Sequence, residues 1–316
     1  MSVSLLQTGP LIAPLEAALR TRYAVCRLAD QPEPLAFLAE HGECFEAIAS
    51  SAAVGFSAGL LAHLPRLRVV SHYGVGLDKL PLPELHARGV AVATTTGVLE
   101  DCVADAAWAL MLAVARRVPQ ADAYARSGQW AQDGMNHFPL GRRVSGARLG
   151  VVGLGRIGQV IARRAAGFDM TVAYHSRRPV PGAPWRHEPD LLALARDSDF
   201  LVIITAGGAD SRYLINTEVL DALGPRGFLI NVARGSVVDE VALLRALHEG
   251  RIAGAGLDVF EHEPGASEAI RQAPRCVLMP HIASATEETR SAMAQLVLDN
   301  LETFFTHGTL LTPLAR

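Results

Sequence analysis

Between Leu149 and Gly158 the chain reads Leu-Gly-Val-Val-Gly-Leu-Gly-Arg-Ile-Gly, a short apolar run that turns through glycines into a helix. The chemistry this suits is phosphate binding. Gly153 can take the tight turn, Gly155 lets a pyrophosphate reach the backbone, and Gly158 lets the helix pack close to its strand; the helix N-terminus supplies amides and the positive end of a dipole. A dinucleotide site that reads a ribose 2'-hydroxyl places an acid roughly 20 residues further on. Here that position reads Tyr174-His175-Ser176-Arg177-Arg178, with no carboxylate. Two guanidinium groups and a hydroxyl suit a 2'-phosphate instead, and one charge-assisted hydrogen bond is worth roughly 1.5 to 3 kcal/mol. NADP(H) is therefore the preferred cofactor, with NAD(H) admitted second. Further along stand Arg234, Glu261, His262, Glu263 and His281, residue types able to hold an anion and move a proton. On residue type alone, Glu261 and His262 compete with Glu263 and His281.

These residues need strands to aim them. The second half alternates strand candidates at 149–152, 171–174, 200–205, 227–232, 254–259 and 276–279 with helical segments at 156–167, 190–196, 217–222 and 240–249. Six parallel strands with right-handed crossovers follow, the doubly wound dinucleotide arrangement. The first hundred residues repeat the rhythm, with strands expected at 3–6, 23–28, 47–49, 67–71 and 90–93 and loops leaving strand ends at 50–56 and 72–78. Between the halves, 99–117 is apolar around most of a helix and so buried on several sides. A looser stretch, 127–143, carries Trp130, Met135, His137 and Phe138 among polar residues, which suggests a partner-subunit or substrate contact. A last amphipathic helix at 286–307 has Met293, Leu296, Val297 and Leu301 at helical spacing and can return to the first domain.

Composition narrows the class. The 316 residues allow about two domains, and half of them are hydrophobic. With 29 Lys+Arg against 32 Asp+Glu, no basic field recommends nucleic acid. Cys26, Cys44, Cys102 and Cys276 are scattered without metal-ligand spacing, so no metal site is expected and the thiols read as reduced, in a cytoplasmic protein. Neither a signal peptide nor an apolar run long enough for a membrane span is seen.

Three motifs in order, Asn231-Val232-Ala233-Arg234-Gly235, Gly256-Leu257-Asp258-Val259-Phe260-Glu261-His262-Glu263-Pro264 and Pro280-His281-Ile282-Ala283-Ser284, resemble the D-2-hydroxyacid dehydrogenase family. The likeness extends to Val75-Gly76-Leu77-Asp78 and the glycine loop, so it covers nearly the whole chain. It implies an α/β chain of two doubly wound parallel-sheet domains: a Rossmann cofactor domain at 99–283 inserted into a flavodoxin-like substrate domain at 1–98 and 284–316. It also implies that Arg234 grips the substrate carboxylate and polarises its carbonyl, and that Glu263 pairs with His281, the general acid of the reducing direction. Val75, Gly76 and Ser284 join Arg234 in holding substrate. Gly153, Gly155, Arg156, Ile157, Gly158, Ser176, Arg177, Arg178, Thr205, Val232 and Ala233 hold the cofactor, with Asp258 at the nicotinamide carboxamide.

The chemistry asks for the same set. Hydride transfer to a 2-oxo acid creates an alkoxide, which needs a proton donor in reach and a fixed cation. Two departures from the family pattern stand out, Thr95-Thr96-Gly97 before the long helix and Gly207-Gly208-Ala209-Asp210-Ser211 after the third cofactor-domain strand. The second lies beside the expected cofactor cleft and, with Ser176-Arg177-Arg178, resembles the glyoxylate, hydroxypyruvate and hydroxyphenylpyruvate reductase branch. The reading is an NADPH-preferring reductase of a small 2-oxo acid, glyoxylate or hydroxypyruvate, acting as a homodimer. Its alternatives are an NAD-linked dehydrogenase of D-lactate, phosphoglycerate or phosphite type and, outside enzymes, a nucleotide-sensing binding protein on the same fold.

Overall fold

A computed structural model of the chain describes residues 3–314 and divides it into two compact units, 1–99 with 285–316, and 100–284. In the first, β1 (Ser4–Gln7), β2 (Ala24–Arg27), β3 (Ala47–Ser51), β4 (Val69–Tyr73) and β5 (Ala91–Thr94) form one parallel sheet in the order β2-β1-β3-β4-β5. β3 and β4 are buried along their whole length, as strands covered on both faces must be, so Ala47–Ala49 and Val69–Val70 run without polar alternation. Two expected loops begin later than the sequence suggests. The ladder continues through Ser50↔His72 and Ser51↔Tyr73, so these polar residues belong to strands, where their side chains are buried rather than solvated.

The helix Glu287–His307 packs on β4. Ser71 Oγ donates to the Val297 carbonyl at 3.1 Å and the Tyr73 hydroxyl to that of Arg290 at 3.3 Å, while Met293, Val297 and Leu301 are buried. Thr286 caps its start and Gly308, at φ 72°, ends it. Asn300 is 1% exposed and ties the chain's last described segment to this helix: its Oδ1 accepts from the Leu311 and Thr312 amides, and its Nδ2 donates to Leu296 O and Thr312 Oγ1.

In the second unit β6 (Arg148–Val152), β7 (Thr171–His175), β8 (Arg186–His187), β9 (Phe200–Ile203), β10 (Phe228–Asn231), β11 (Gly254–Leu257) and β12 (Cys276–Leu278) make a parallel sheet in the order β12-β11-β10-β9-β6-β7-β8. Seven strands are present where six were expected; β8, an Arg-His dipeptide beside β7, has no apolar run to announce it. Strand order reverses between β6 and β9, and ligands bind such sheets outside the strand ends at that switch point. The helix Glu100–Arg116 lies on β10 and β11. It can do so because β11 is built on glycine: a Cβ on Gly256 would sit 3.0 Å from Leu110 Cβ, and one on Gly254 2.9 Å from Val114 Cγ2. Trp108 of this helix stacks on Phe168 at 4.5 Å. After it comes a short helix, Val118–Arg126, and the stretch expected to be loose, 127–143, opens on another, Gln129–Asp133; neither buries a residue.

Because Asn300 satisfies two buried-side amides at once, Asn300→Ala should lower unfolding free energy by about 2 kcal/mol or more. Urea unfolding followed by circular dichroism measures this, with faster amide exchange at Leu311 and Thr312; a change below about 0.5 kcal/mol, the ordinary size of a surface substitution, would remove the role given to Asn300.

Candidate active site

The glycine loop stands at the switch point. Gly153 has φ 99°, and a Cβ there would lie 2.8 Å from the backbone N and Cα of Thr205, in the loop after β9. A Cβ on Gly158 would meet the Gly153 carbonyl at 2.2 Å. Gly155 is different: nothing lies within 4 Å of its Cβ direction, and it opens the helix Arg156–Arg164, whose first-turn amides have no partner inside the helix. Tight packing behind the loop and open space before it fit a pyrophosphate on the helix N-terminus. Beyond β7, Ser176 Oγ donates to Arg178 O at 2.6 Å and His187 Nε2 donates to Ser176 O at 3.0 Å, fixing the basic turn while Arg177 and Arg178 stay exposed.

Val232 and Ala233, both buried, lead from β10 to Arg234. Asn231 shapes that turn, its Oδ1 accepting from the Ala233 amide at 3.1 Å and its Nδ2 donating to Arg234 O at 3.0 Å. Gly235 follows because no side chain fits: a Cβ would lie 1.8 Å from the Phe260 carbonyl carbon. The turn bearing Arg234 is thereby pressed against the one bearing Glu263.

Glu263 accepts from the Phe260 amide through Oε1 at 3.0 Å and from His281 Nδ1 through Oε2 at 2.7 Å. A carboxylate can only accept, so Nδ1 carries the hydrogen and Nε2 is the ring's other face. Burial alone would raise the Glu263 carboxyl. The hydrogen bonds from His281 and Phe260 and the charges of His281 and Arg234 outweigh it and hold the group below the usual carboxylate range. His281 itself has φ 54°, an uncommon conformation for a non-glycine residue, and its amide donates to Asp258 O at 2.8 Å. The buried Asp258 carboxylate accepts from the next two amides, Ile282 at 2.8 Å and Ala283 at 3.0 Å. Arg234, Asp258, Glu263 and His281 thus meet at the carboxyl ends of β10, β11 and β12, with Ser284 ending the same segment.

The pattern of the D-isomer specific 2-hydroxyacid dehydrogenase family, NAD binding domain, matches residues 108–283. The chain is 41% identical over 312 residues to a glyoxylate/hydroxypyruvate reductase A of Arabidopsis thaliana and 43% identical over 312 residues to a hydroxyphenylpyruvate reductase of Plectranthus scutellarioides, each alignment covering 99% of both chains. The chain belongs to the D-isomer specific 2-hydroxyacid dehydrogenases. Among solved structures, an NADPH-dependent glyoxylate/hydroxypyruvate reductase from Sinorhizobium meliloti, in complex with NADP and malonate, superposes with a TM-score of 0.92 at 40% identity, covering 100% of this chain and 97% of that one.

For a member of this family, the other expected substrate contacts, Val75 and Gly76, lie in the first unit, after β4. There a buried pair absent from the sequence reading shapes their turn. His72 Nε2 lies 2.9 Å from Gly76 O, which can only accept, so Nε2 is the donor, and Nδ1 shares a hydrogen bond with Ser50 Oγ at 2.7 Å. Their alternation of polar and apolar neighbours gave no sign of this, since two strands distant in sequence supply the partners. Asn231 was equally overlooked as a working residue, although an Asn two residues before an amide it can accept from is a turn signal.

The Glu263 carboxyl is depressed in the folded protein, so its ionised form contributes stability that is complete above the unfolded value and is lost as pH falls through the folded one. Glu263→Gln should therefore flatten the stability profile between about pH 5 and pH 3. Urea midpoints across that range test the sign; parallel profiles for the two proteins would contradict the assignment.

Proposed function

We propose that the chain is an NAD(P)H-dependent reductase of small 2-oxo acids, converting glyoxylate or hydroxypyruvate to the 2-hydroxy acid, D-configured where the carbon is chiral. The observation that carries it is the 2.7 Å contact of His281 Nδ1 with Glu263, whose carboxyl also feels the Arg234 charge. When bound, the reduced nicotinamide supplies a hydride. The chain's residues do the rest. Arg234 presents a planar cation that can engage the substrate carboxylate through two bonds and polarise the adjacent carbonyl oxygen. As negative charge grows on that oxygen, His281 delivers a proton from Nε2, and Glu263 at Nδ1 stabilises the ring while it is charged. Amides of Val75 and Gly76, together with Ser284, complete the grip on substrate in this reading.

The cofactor rests on Gly153, Gly155, Arg156, Ile157 and Gly158, with Thr205, Val232 and Ala233 lining its path and Asp258 at the carboxamide. Ser176, Arg177 and Arg178 give NADP(H) its preference, since the basic turn holds no acid to repel a 2'-phosphate. In this assignment the unit at 100–284 carries the cofactor and the other unit the substrate. A homodimer fits the surface: Trp130, Met135 and Leu140 are 53%, 71% and 96% exposed on a stretch whose helices bury nothing. No described helix is long and apolar enough to cross a membrane. The four free cysteines are in keeping with a reducing, cytoplasmic setting.

A panel of 2-oxo acids assayed with both cofactors tests the reading. Glyoxylate or hydroxypyruvate with NADPH should give the highest kcat/KM; inactivity with every acid would leave a binding protein. His281→Asn should cut kcat by roughly 10²- to 10⁴-fold, the usual worth of a general acid, with NADP+ affinity retained. Unaltered turnover would remove His281 from the reaction.

A further inference from the structure

The loop after β9 departs from the family pattern at 207–211, and the structure gives that departure a partner. Asp210 Oδ2 lies 3.4 Å from Arg177 NH1, the guanidinium assigned above to a 2'-phosphate. Both loops are held by their own bonds. Ser211 Oγ donates to Ala206 O at 2.7 Å and the Ser211 amide to Gly208 O at 3.2 Å, while Ser176 and His187 fix the other turn. Asp210 is therefore presented to Arg177 by two ordered turns, one on each side of β6 at the switch point.

The pair itself is weakly held. The two side chains are 89% and 88% exposed, so water screens their attraction and either can turn away. A phosphate dianion offers Arg177 more charge and bidentate geometry, and so outcompetes the carboxylate. Asp210 nevertheless adds a negative charge beside the phosphate position and must release Arg177 first. A ribose with a free 2'-hydroxyl meets neither cost, because Arg177 can stay paired.

From this we infer that Asp210 sets the balance between the two cofactors: it competes with the 2'-phosphate for Arg177, lowering affinity for NADP(H) while leaving NAD(H) almost untouched. The inference rests on the assignment of the basic turn to the 2'-phosphate. It explains how a chain with two arginines and no ribose-reading acid can still admit NAD(H), since Asp210 neutralises one of those arginines when no phosphate arrives. Arg178, for which the structure gives no ion pair among the described residues, keeps a net positive charge at the turn in either case.

Binding, rather than turnover, separates the possibilities. Dissociation constants for NADP+, NAD+ and adenosine 2',5'-bisphosphate are measured by calorimetry on the full-length protein, on Asp210→Asn, on Arg177→Ala and on the double variant. Asp210→Asn, isosteric and on an exposed loop, should bind NADP+ and the bisphosphate roughly twofold to fivefold tighter, within the range a single exposed charge commands, with NAD+ unchanged. In the Arg177→Ala background the same substitution should gain less than half of that. Should Arg177→Ala weaken NADP+ while Asp210→Asn leaves the NADP+/NAD+ ratio unchanged, the role of Asp210 is overturned and the basic turn stands. An equal gain in both backgrounds overturns the competition for Arg177. If Arg177→Ala leaves NADP+ binding unchanged, it is the assignment of the turn that fails.

Discussion

A carboxylate that accepts two consecutive backbone amides holds the segment bearing His281 in shape. Asp258, 1% exposed at the end of β11, takes the amides of Ile282 and Ala283, while its own carbonyl takes that of His281. Three bonds from one residue bind the chain on both sides of the β11–β12 pair. His281 can then keep a left-handed backbone that an isolated loop residue would abandon, because the amides on either side of its ring are already committed. The ring is aimed by the backbone first and by Glu263 second.

The remaining groups reach the same place through close packing. Gly235 lets the β10 turn touch the backbone at Phe260, and Phe260 in turn gives its amide to Glu263. Gly153 lets the β6 turn touch Thr205, and Gly158 lets its helix touch Gly153. Each contact excludes even a methyl group. A set of parallel strands whose loops approach this closely fixes Arg234, His281 and the glycine loop relative to one another. Such placement is what converts separate residues into a site of high effective concentration.

Much of this was legible beforehand. Buried parallel strands announce themselves as apolar runs between turn residues, so β6, β9, β10 and β11 were visible to within a few residues, and the glycine loop was readable as a dinucleotide site from the strand before it and the helix after it. Elements without apolar content were hidden: β8 is Arg186-His187, and the helix Gln129–Asp133 buries nothing, so no periodicity marks it. Residue type could not choose between Glu261 and Glu263. Geometry does, because Glu261 is bonded to Tyr213 and Arg212 through its side chain and to Glu240 through its amide, whereas Glu263 faces His281. Pairings between segments distant in sequence, Ser50 with His72 across two strands or Arg177 with Asp210 across two loops, leave no trace in local pattern, since nothing in either segment specifies the other.

Glu263 and Asp258 stand five residues apart and titrate in opposite directions. Burial raises both. At Glu263 the positive charges of His281 and Arg234 and two hydrogen bonds overcome it; at Asp258 burial prevails over the two neutral amides and the His281 charge, with Glu263 adding repulsion. Being raised, the Asp258 carboxyl makes its ionised form a stability cost at neutral pH, shed as pH falls through the folded value. The fold carries that cost for a geometric reason. Two adjacent amides need two acceptors from one short side chain, and only a carboxylate supplies them: an asparagine would meet one amide with oxygen and the other with NH2. The charge on Asp258 is thus incidental to its shape, while the charge on Glu263 is the reason it is there.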